Sequence, residues 1–203
     1  MNSSMPHITF LDQYSSIGGG QKILFSVMQA ALAKGMETSA LLPAQSELGA
    51  HIRQEYPDIN LHNIPELNLQ QNRKGIIDIY RLSRHLVFFL ARYTKQLRRQ
   101  DIIYVNGPRL IPHALLLSRF CRARFCYHIH LAHSGPERHL LRLAALNPST
   151  VAMIFPSHFV QTHLSTFSNA FNSPNSYILS NGLIREYDIS FEDRFTNHPL
   201  RSV

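Results

Sequence analysis

Cysteine is scarce in this chain, with Cys121 and Cys126 the only two among 203 residues. Two thiols allow at most one disulfide, and they lack a metal-site spacing. They read as buried thiols flanking the start of a predicted strand, which fits a reducing cytoplasm. Long apolar runs are missing as well. None approaches the ~20 residues that a membrane span needs. The opening Met1-Asn2-Ser3-Ser4-Met5-Pro6 lacks the charged and apolar regions of a secretory signal. Internal repeats and low-complexity tracts are absent. A soluble cytoplasmic protein is therefore expected, with a peripheral place on the inner face of the cell membrane as the alternative.

Acidic residues are also under-represented. The chain has 13 Asp and Glu against 20 Lys and Arg, and a formal net charge of +7. The imbalance is local. Residues 73–142 hold 14 of the 20 cations and only 3 of the 13 acids, while the segments on either side are slightly acidic. A focused basic region implies an anionic partner, such as a phosphate-bearing substrate or an anionic lipid surface.

What the chain does have is alternation. Strand-like segments at 7–11, 37–42, 59–64, 101–105, 124–129, 151–155 and 176–179 are separated by helix-like segments at 21–34, 47–56, 75–99, 108–120, 136–146 and 157–167. Repeated βα units predict an α/β fold, a Rossmann-like, mostly parallel sheet of about seven strands with helices on both faces. Residues 1–184 read as one domain, and 185–203 as a linker or trailing extension. In such sheets ligands bind beyond the carboxyl ends of the strands. The candidate residues therefore come from the strand-to-helix loops, at 18–20, 106–107, 128–134 and 156–157.

The first of these loops contains Gly18, Gly19 and Gly20. Glycines allow a close backbone approach, and the following helix offers unpaired N–H groups, so a phosphate or diphosphate suits the place. A tight turn without a ligand is the alternative. The loop near 128–133 carries His128, His130 and His133. The first two share one face while strand geometry lasts. They suit hydrogen bonding or charge stabilisation at a ligand site, or structural roles. A metal is not expected, because no zinc spacing and no carboxylate before Glu137 accompany them. A Ser-His-Asp triad is not supported either, since Ser134 and Ser157 lack a nucleophile-elbow context.

The long helix at 75–99 is two-sided. At roughly 100° per residue, Ile79, Leu82, Leu86, Phe89, Leu90, Tyr93 and Leu97 form the core side. Arg81, Arg84, Arg92, Lys95, Arg98 and Arg99 gather on the other side, with Phe88 among them. This face is either a solvated cationic surface or a patch for an anionic membrane, with Phe88 dipping into the interface. A nucleic-acid partner is not expected, for no recognised motif or aromatic stacking run accompanies the charge.

Taken in order, four places make the sequence resemble the N-terminal domain of a retaining GT-B glycosyltransferase, of glycosyltransferase group 1 or family four. They are Ile17-Gly18-Gly19-Gly20-Gln21-Lys22, the strand Asp101-Ile102-Ile103-Tyr104-Val105-Asn106, the strand end Tyr127-His128-Ile129-His130, and the pair Phe155-Pro156-Ser157-His158-Phe159-Val160 with Leu179-Ser180-Asn181-Gly182. The resemblance covers about residues 7–184.

It implies two facing Rossmann-like domains, of which this would be the acceptor-binding one. The reaction implied is transfer of a sugar from a nucleotide-sugar to a glycan or lipid-linked acceptor, in bacterial surface polysaccharide synthesis. His130 would be the catalytic histidine, bonding the donor sugar or its leaving group. Gly18, Gly19, Gly20, Lys22, Asn106, His128, His133 and Ser157 would line the donor phosphates or acceptor. No cofactor or metal is implied, the nucleotide-sugar being a co-substrate. The chain stops near the expected linker, so the C-terminal donor-binding domain with its paired glutamates is expected to be missing, and the chain alone inactive. Gln21 stands where some members carry an acidic residue or histidine, which leaves its role open. The competing reading is a non-catalytic Rossmann-like module that docks an anionic ligand or membrane surface through residues 73–142.

Overall fold

Apolar side chains on both faces of nearly every strand require a sheet covered on both sides, and the structure provides one. A computed structural model describes residues 5–67 and 76–180. The strands are β1 (His7–Leu11), β2 (Glu37–Pro43), β3 (Asn60–Ile64), β4 (Ile102–Asn106), β5 (Arg124–His128), β6 (Thr150–Phe155) and β7 (Ser176–Ile178). They form a single seven-stranded, all-parallel sheet in the order β3-β2-β1-β4-β5-β6-β7. The helices between them are α1 (Gly19–Ala33), α2 (Glu47–Glu55), α3 (Ile76–Leu97), α4 (Ile111–Leu117), α5 (Pro136–Ala145) and α6 (His158–Ser165).

Strand alternation divides the core in two. Ile8, Phe10, Ala40, Leu42 and Tyr104 pack with Leu24 and Met28 of α1 and Leu48 and Ile52 of α2. Leu11, Leu41, Ile103, Val105, Phe125 and Phe155 point the other way, onto Phe89, Tyr93 and Leu97 of α3 and apolar residues of α4, α5 and α6. The chain therefore builds β1 to β3 outward on one side and returns to the other side of β1 with β4. The order reverses between β1 and β4, which makes that junction the place where a crevice opens at the carboxyl edge.

Several boundaries depart from the sequence expectation for local reasons. Helix α1 begins at Gly19 rather than at 21, because the Gln21 side chain accepts the Gly18 N–H (3.1 Å) and lets the turn close early. The helix expected over 108–120 is a 3-10 turn at Pro108–Leu110 followed by α4 over Ile111–Leu117. Pro112 has no N–H to return to Pro108, so an uninterrupted α-helix cannot start at 108. Helix α3 ends at Leu97, with Arg98 and Arg99 in the turn that follows. Gly35, at φ 73°, ends α1. Ser46 and Ser157 cap α2 and α6.

Both cysteines are free and half-buried, and burial pushes each thiol up to about 11. Among the described residues no helix is long and apolar enough to cross a membrane. The Asn181-Gly182 motif and the extension at 185–203 lie outside the described residues.

Candidate functional site

The reversal between β1 and β4 is occupied by a carboxylate that the sequence analysis did not single out. Asp12 follows the last residue of β1 and is fully buried. Its Oδ1 accepts the backbone N–H groups of Gln13 (2.5 Å) and Tyr14 (2.9 Å). Its Oδ2 accepts from Gln21 Nε2 (2.9 Å) and from Asn106 Nδ2 (2.6 Å). Burial pushes the Asp12 carboxyl above its ordinary value, and these bonds offset only part of that rise. All four neighbours are donors. A protonated carboxyl would point its own O–H at one of them, so the network suits the ionised form.

Gln21 thereby acquires its role. It ties the glycine turn, through the Gly18 N–H, to the Asp12 carboxylate at the switch point. The first-turn N–H groups of Gly19 and Gly20 have no acceptor inside the helix and face the same carboxyl edge of the sheet.

Asn106 ends β4, in register with His128 of β5. Its amide orientation is set by its neighbours. The nitrogen meets two acceptors, Asp12 Oδ2 and the Gly20 carbonyl (3.4 Å), so Oδ1 must face His130 Nε2 (2.6 Å). His130 Nε2 must therefore carry the hydrogen, and in the neutral ring Nδ1 carries the lone pair. Among the described residues Nδ1 is buried without a partner. Burial, and then His133, bring the imidazole down to about 4. At neutral pH His130 thus presents an acceptor rather than a positive charge.

The ring lies against the start of α1. A Cβ on Gly20 would come within 3.1 Å of His130 Cδ2. The glycine is needed here for the histidine's approach, which is a more specific requirement than turn geometry. His128 and His130 rings sit 4.2 Å apart, although β5 ends at His128. His128 is fully buried, bonds Tyr104 Oη through Nδ1 (2.5 Å), and is held neutral by burial, at about 3. Its role within the free chain is that of a packed, buried ring beneath His130.

The remaining candidates are placed less centrally. His133 Nδ1 meets Glu137 Oε2 at 2.8 Å, one helical turn on. Ser157 accepts the Val160 N–H (3.4 Å) as the cap of α6. Lys22 is half-buried in α1 and already has partners within the chain. Two further residues at this edge were not anticipated: Tyr14, and Arg109, whose guanidinium lies 4.8 Å from the centre of the Tyr14 ring. Gly107, at φ 84°, makes the turn that brings Arg109 there. Among the described residues no three His, Cys, Asp or Glu side chains are grouped to hold a metal ion.

The basic side of α3 is as the periodicity predicted. Arg81, Arg84, Phe88, Arg92, Lys95, Arg98 and Arg99 are all exposed. Ile77, Tyr80 and Val87 add exposed apolar surface along its first half. The buried stripe of the helix contains a residue that an apolar pattern overlooks, His85. Its Nε2 donates to the Pro65 carbonyl (2.9 Å), which leaves Nδ1 to accept from His113 Nε2 (2.8 Å).

No family model matches the sequence, and no curated protein matches it. Solved structures do. HepE of Anabaena, in complex with UDP and glucose, superposes with a TM-score of 0.64 at 18% identity, over 95% of this chain and 50% of that one. The lipopolysaccharide outer core galactosyltransferase WaaB, in its apo form, gives 0.60 at 10% identity over 88% and 46%. UDP-GlcNAc 2-epimerase of Neisseria meningitidis, bound to UDP-GlcNAc, gives 0.59 at 13% identity over 95% and 50%. The chain spans about half the length of these proteins. Its seven-stranded parallel sheet has the Rossmann-like fold of one half of a GT-B protein.

Proposed function

We propose that this chain is the acceptor-side half of a GT-B sugar transferase that uses a nucleotide-sugar donor and a glycan or lipid-linked acceptor. The observation that carries the proposal is the continuous network Gly18–Gln21–Asp12–Asn106–His130 across the sheet's switch point. It joins the open N–H groups of a helix N-terminus to one histidine acceptor of defined tautomer. The Gly19 and Gly20 N–H groups would meet the donor diphosphate, stabilising the charge that develops as it leaves. His130 Nδ1 would accept a hydrogen bond from a sugar hydroxyl. Arg109 adds a cation at the same edge. A uridine donor is the first to try, since HepE was solved with UDP and glucose. Retention of configuration at the transferred sugar belongs to the same reading, as does a role in bacterial surface polysaccharide synthesis.

The acceptor-side role also gives the upper part of α3 a use. Arg81 and Arg84, flanked by exposed Ile77, Tyr80, Val87 and Phe88, would rest on the anionic inner face of a cell membrane and bring a lipid-linked acceptor within reach. The chain would then be cytoplasmic and peripheral.

The test is a titration of the chain with UDP-glucose, with UDP and glucose as separate controls, followed by the NMR signals of the histidine rings. UDP-glucose should shift His130 and leave the fully buried His113 in place. His130→Ala should weaken binding by about tenfold, the loss expected for one hydrogen bond in a desolvated site. UDP-glucose that moves no histidine signal, or that binds His130→Ala equally well, would refute the donor contacts assigned to Gly19, Gly20 and His130.

A further inference from the structure

A cavity of about 550 Å3 opens at the other end of the sheet. It lies between the first residues of β1 and β3, the middle of β2 and the last turns of α3. In a parallel sheet those strand starts share the edge opposite the carboxyl ends, so the cavity is away from His130. The transferase reading makes no use of it.

One wall is cationic. Arg92, Lys95 and Arg99, spaced by three and four residues, project from one side of the helix end into it. None of the three makes an ion pair among the described residues, and no Asp or Glu lines the cavity. Two acids that do not line it serve His7: Glu37 Oε2 is 3.6 Å from His7 Nδ1, and Asp101 Oδ2 accepts the His7 N–H.

The other wall is a directed chain of hydrogen bonds. Gln100 Oε1 is an acceptor, so Thr9 donates to it (2.8 Å), Ser39 donates to Thr9 (2.7 Å), and His7 Nε2–H donates to Ser39 (3.2 Å). The Gln100 amide nitrogen makes one long bond, 3.5 Å to the Gln96 carbonyl, which leaves an N–H for a ligand. His62 Nε2 takes a hydrogen bond from the Gln96 amide, so His62 is neutral at that nitrogen. Burial and then Arg92 lower its pKa. A concentration of positive charge with no internal counter-ion, beside a rigid polar wall, is an arrangement that an anion completes.

We propose that this cavity binds a multiply charged phosphate group, held by the Arg92 and Arg99 forks and the Lys95 ammonium, at a site separate from the His130 edge. Two planar guanidinium groups and a point charge match the several oxygens of a phosphate ester or diphosphate better than a single carboxylate. The source of the phosphate is a soluble phosphate compound or a phospholipid head group, and the two are separable by experiment.

Inorganic pyrophosphate is titrated into the chain at constant ionic strength, with the His7 and His62 ring signals recorded by NMR. In parallel, phosphatidylcholine vesicles with and without phosphatidylglycerol are tested by co-sedimentation. Pyrophosphate should move His62 and His7. The double variant Arg92→Gln, Arg99→Gln should weaken that binding by about tenfold or more, as expected for lost charge-assisted bonds. Both arginines are exposed, so folding should survive, and a melting curve checks it. The control Arg81→Gln, Arg84→Gln should bind pyrophosphate as the parent does. Vesicle binding that requires Arg92 and Arg99 would also support the site and identify a head group as its source. The site is disproved if pyrophosphate fails to bind and vesicle binding does not require Arg92 and Arg99, if pyrophosphate binding survives the Arg92/Arg99 change, or if the Arg81/Arg84 change weakens pyrophosphate binding equally. Failure of UDP-glucose to bind at the other edge would not bear on these outcomes.

Discussion

Gly20 and Asn106 each decide where His130 sits, and by different means. Adding a methyl group at Gly20 places it 3.1 Å from the His130 ring, so the ring must give way. Gly20→Ala also removes a flexible residue from the first turn of a helix, which by itself favours folding by up to about 1 kcal/mol. The expected outcome is a stability change of less than about 1 kcal/mol together with a clear shift of the His130 ring signals. Unchanged ring signals would show that the contact does not constrain the histidine. Asn106→Ala acts through hydrogen bonds. It removes a donor from the buried Asp12 carboxylate and the acceptor that holds His130 Nε2–H. A loss of about 1–3 kcal/mol in urea unfolding is expected, because a buried charged acceptor is left short of a partner. A loss under about 0.5 kcal/mol would mean that water or another side chain replaces the amide.

At the scale of the element, α3 combines two surfaces with different sensitivities. Phe89, Tyr93 and Leu97 are buried against the sheet, and Tyr93 Oη bonds the Asn63 carbonyl. Phe89→Ala should cost about 3–5 kcal/mol by denaturant unfolding, the range for truncating a fully buried aromatic. Arg81→Gln with Arg84→Gln should change stability by less than about 0.5 kcal/mol, since Arg84 is exposed and the Arg81–Asp78 contact (3.9 Å) is at the surface on the arginine side. The same pair of changes should reduce co-sedimentation with phosphatidylglycerol vesicles. Binding that ignored both the changes and the salt concentration would remove the membrane proposal.

The whole molecule carries a pH dependence that arises from its histidines. Burial holds His113 and His128 at about 3 and His130 at about 4, against an ordinary value of 6.5. Above pH 6.5 neither the folded nor the unfolded chain binds protons at these rings. Between 6.5 and about 4 the unfolded chain takes them up and the folded chain does not, so stability falls as pH falls. Each fully effective ring contributes roughly 1.4 kcal/mol per pH unit in that window. The melting temperature should therefore drop continuously from pH 7 to pH 5. A flat profile over that range would show that these rings are not held neutral in the fold.

How much the sequence determined by itself follows from which interactions are local. The seven strands, the helix order, the two-sided α3 and the carboxyl-edge loops were all legible, because period, capping and chain breakers act within a few residues. The positions of Gly18–Gly20, Asn106 and His130 on those loops were legible too, since glycine runs and strand ends mark such loops. What the tertiary structure alone decided was pairing. Asp12 lies 94 positions from Asn106, and Gln100 lies 91 from Thr9. No local pattern reveals that such residues meet, nor that Gly20 is required by a ring 110 positions away, that Gln21 serves Asp12, or that His85 belongs to a buried stripe. Those facts come from parallel strand pairing, which joins distant segments edge to edge and then demands that every buried polar group find its partner there.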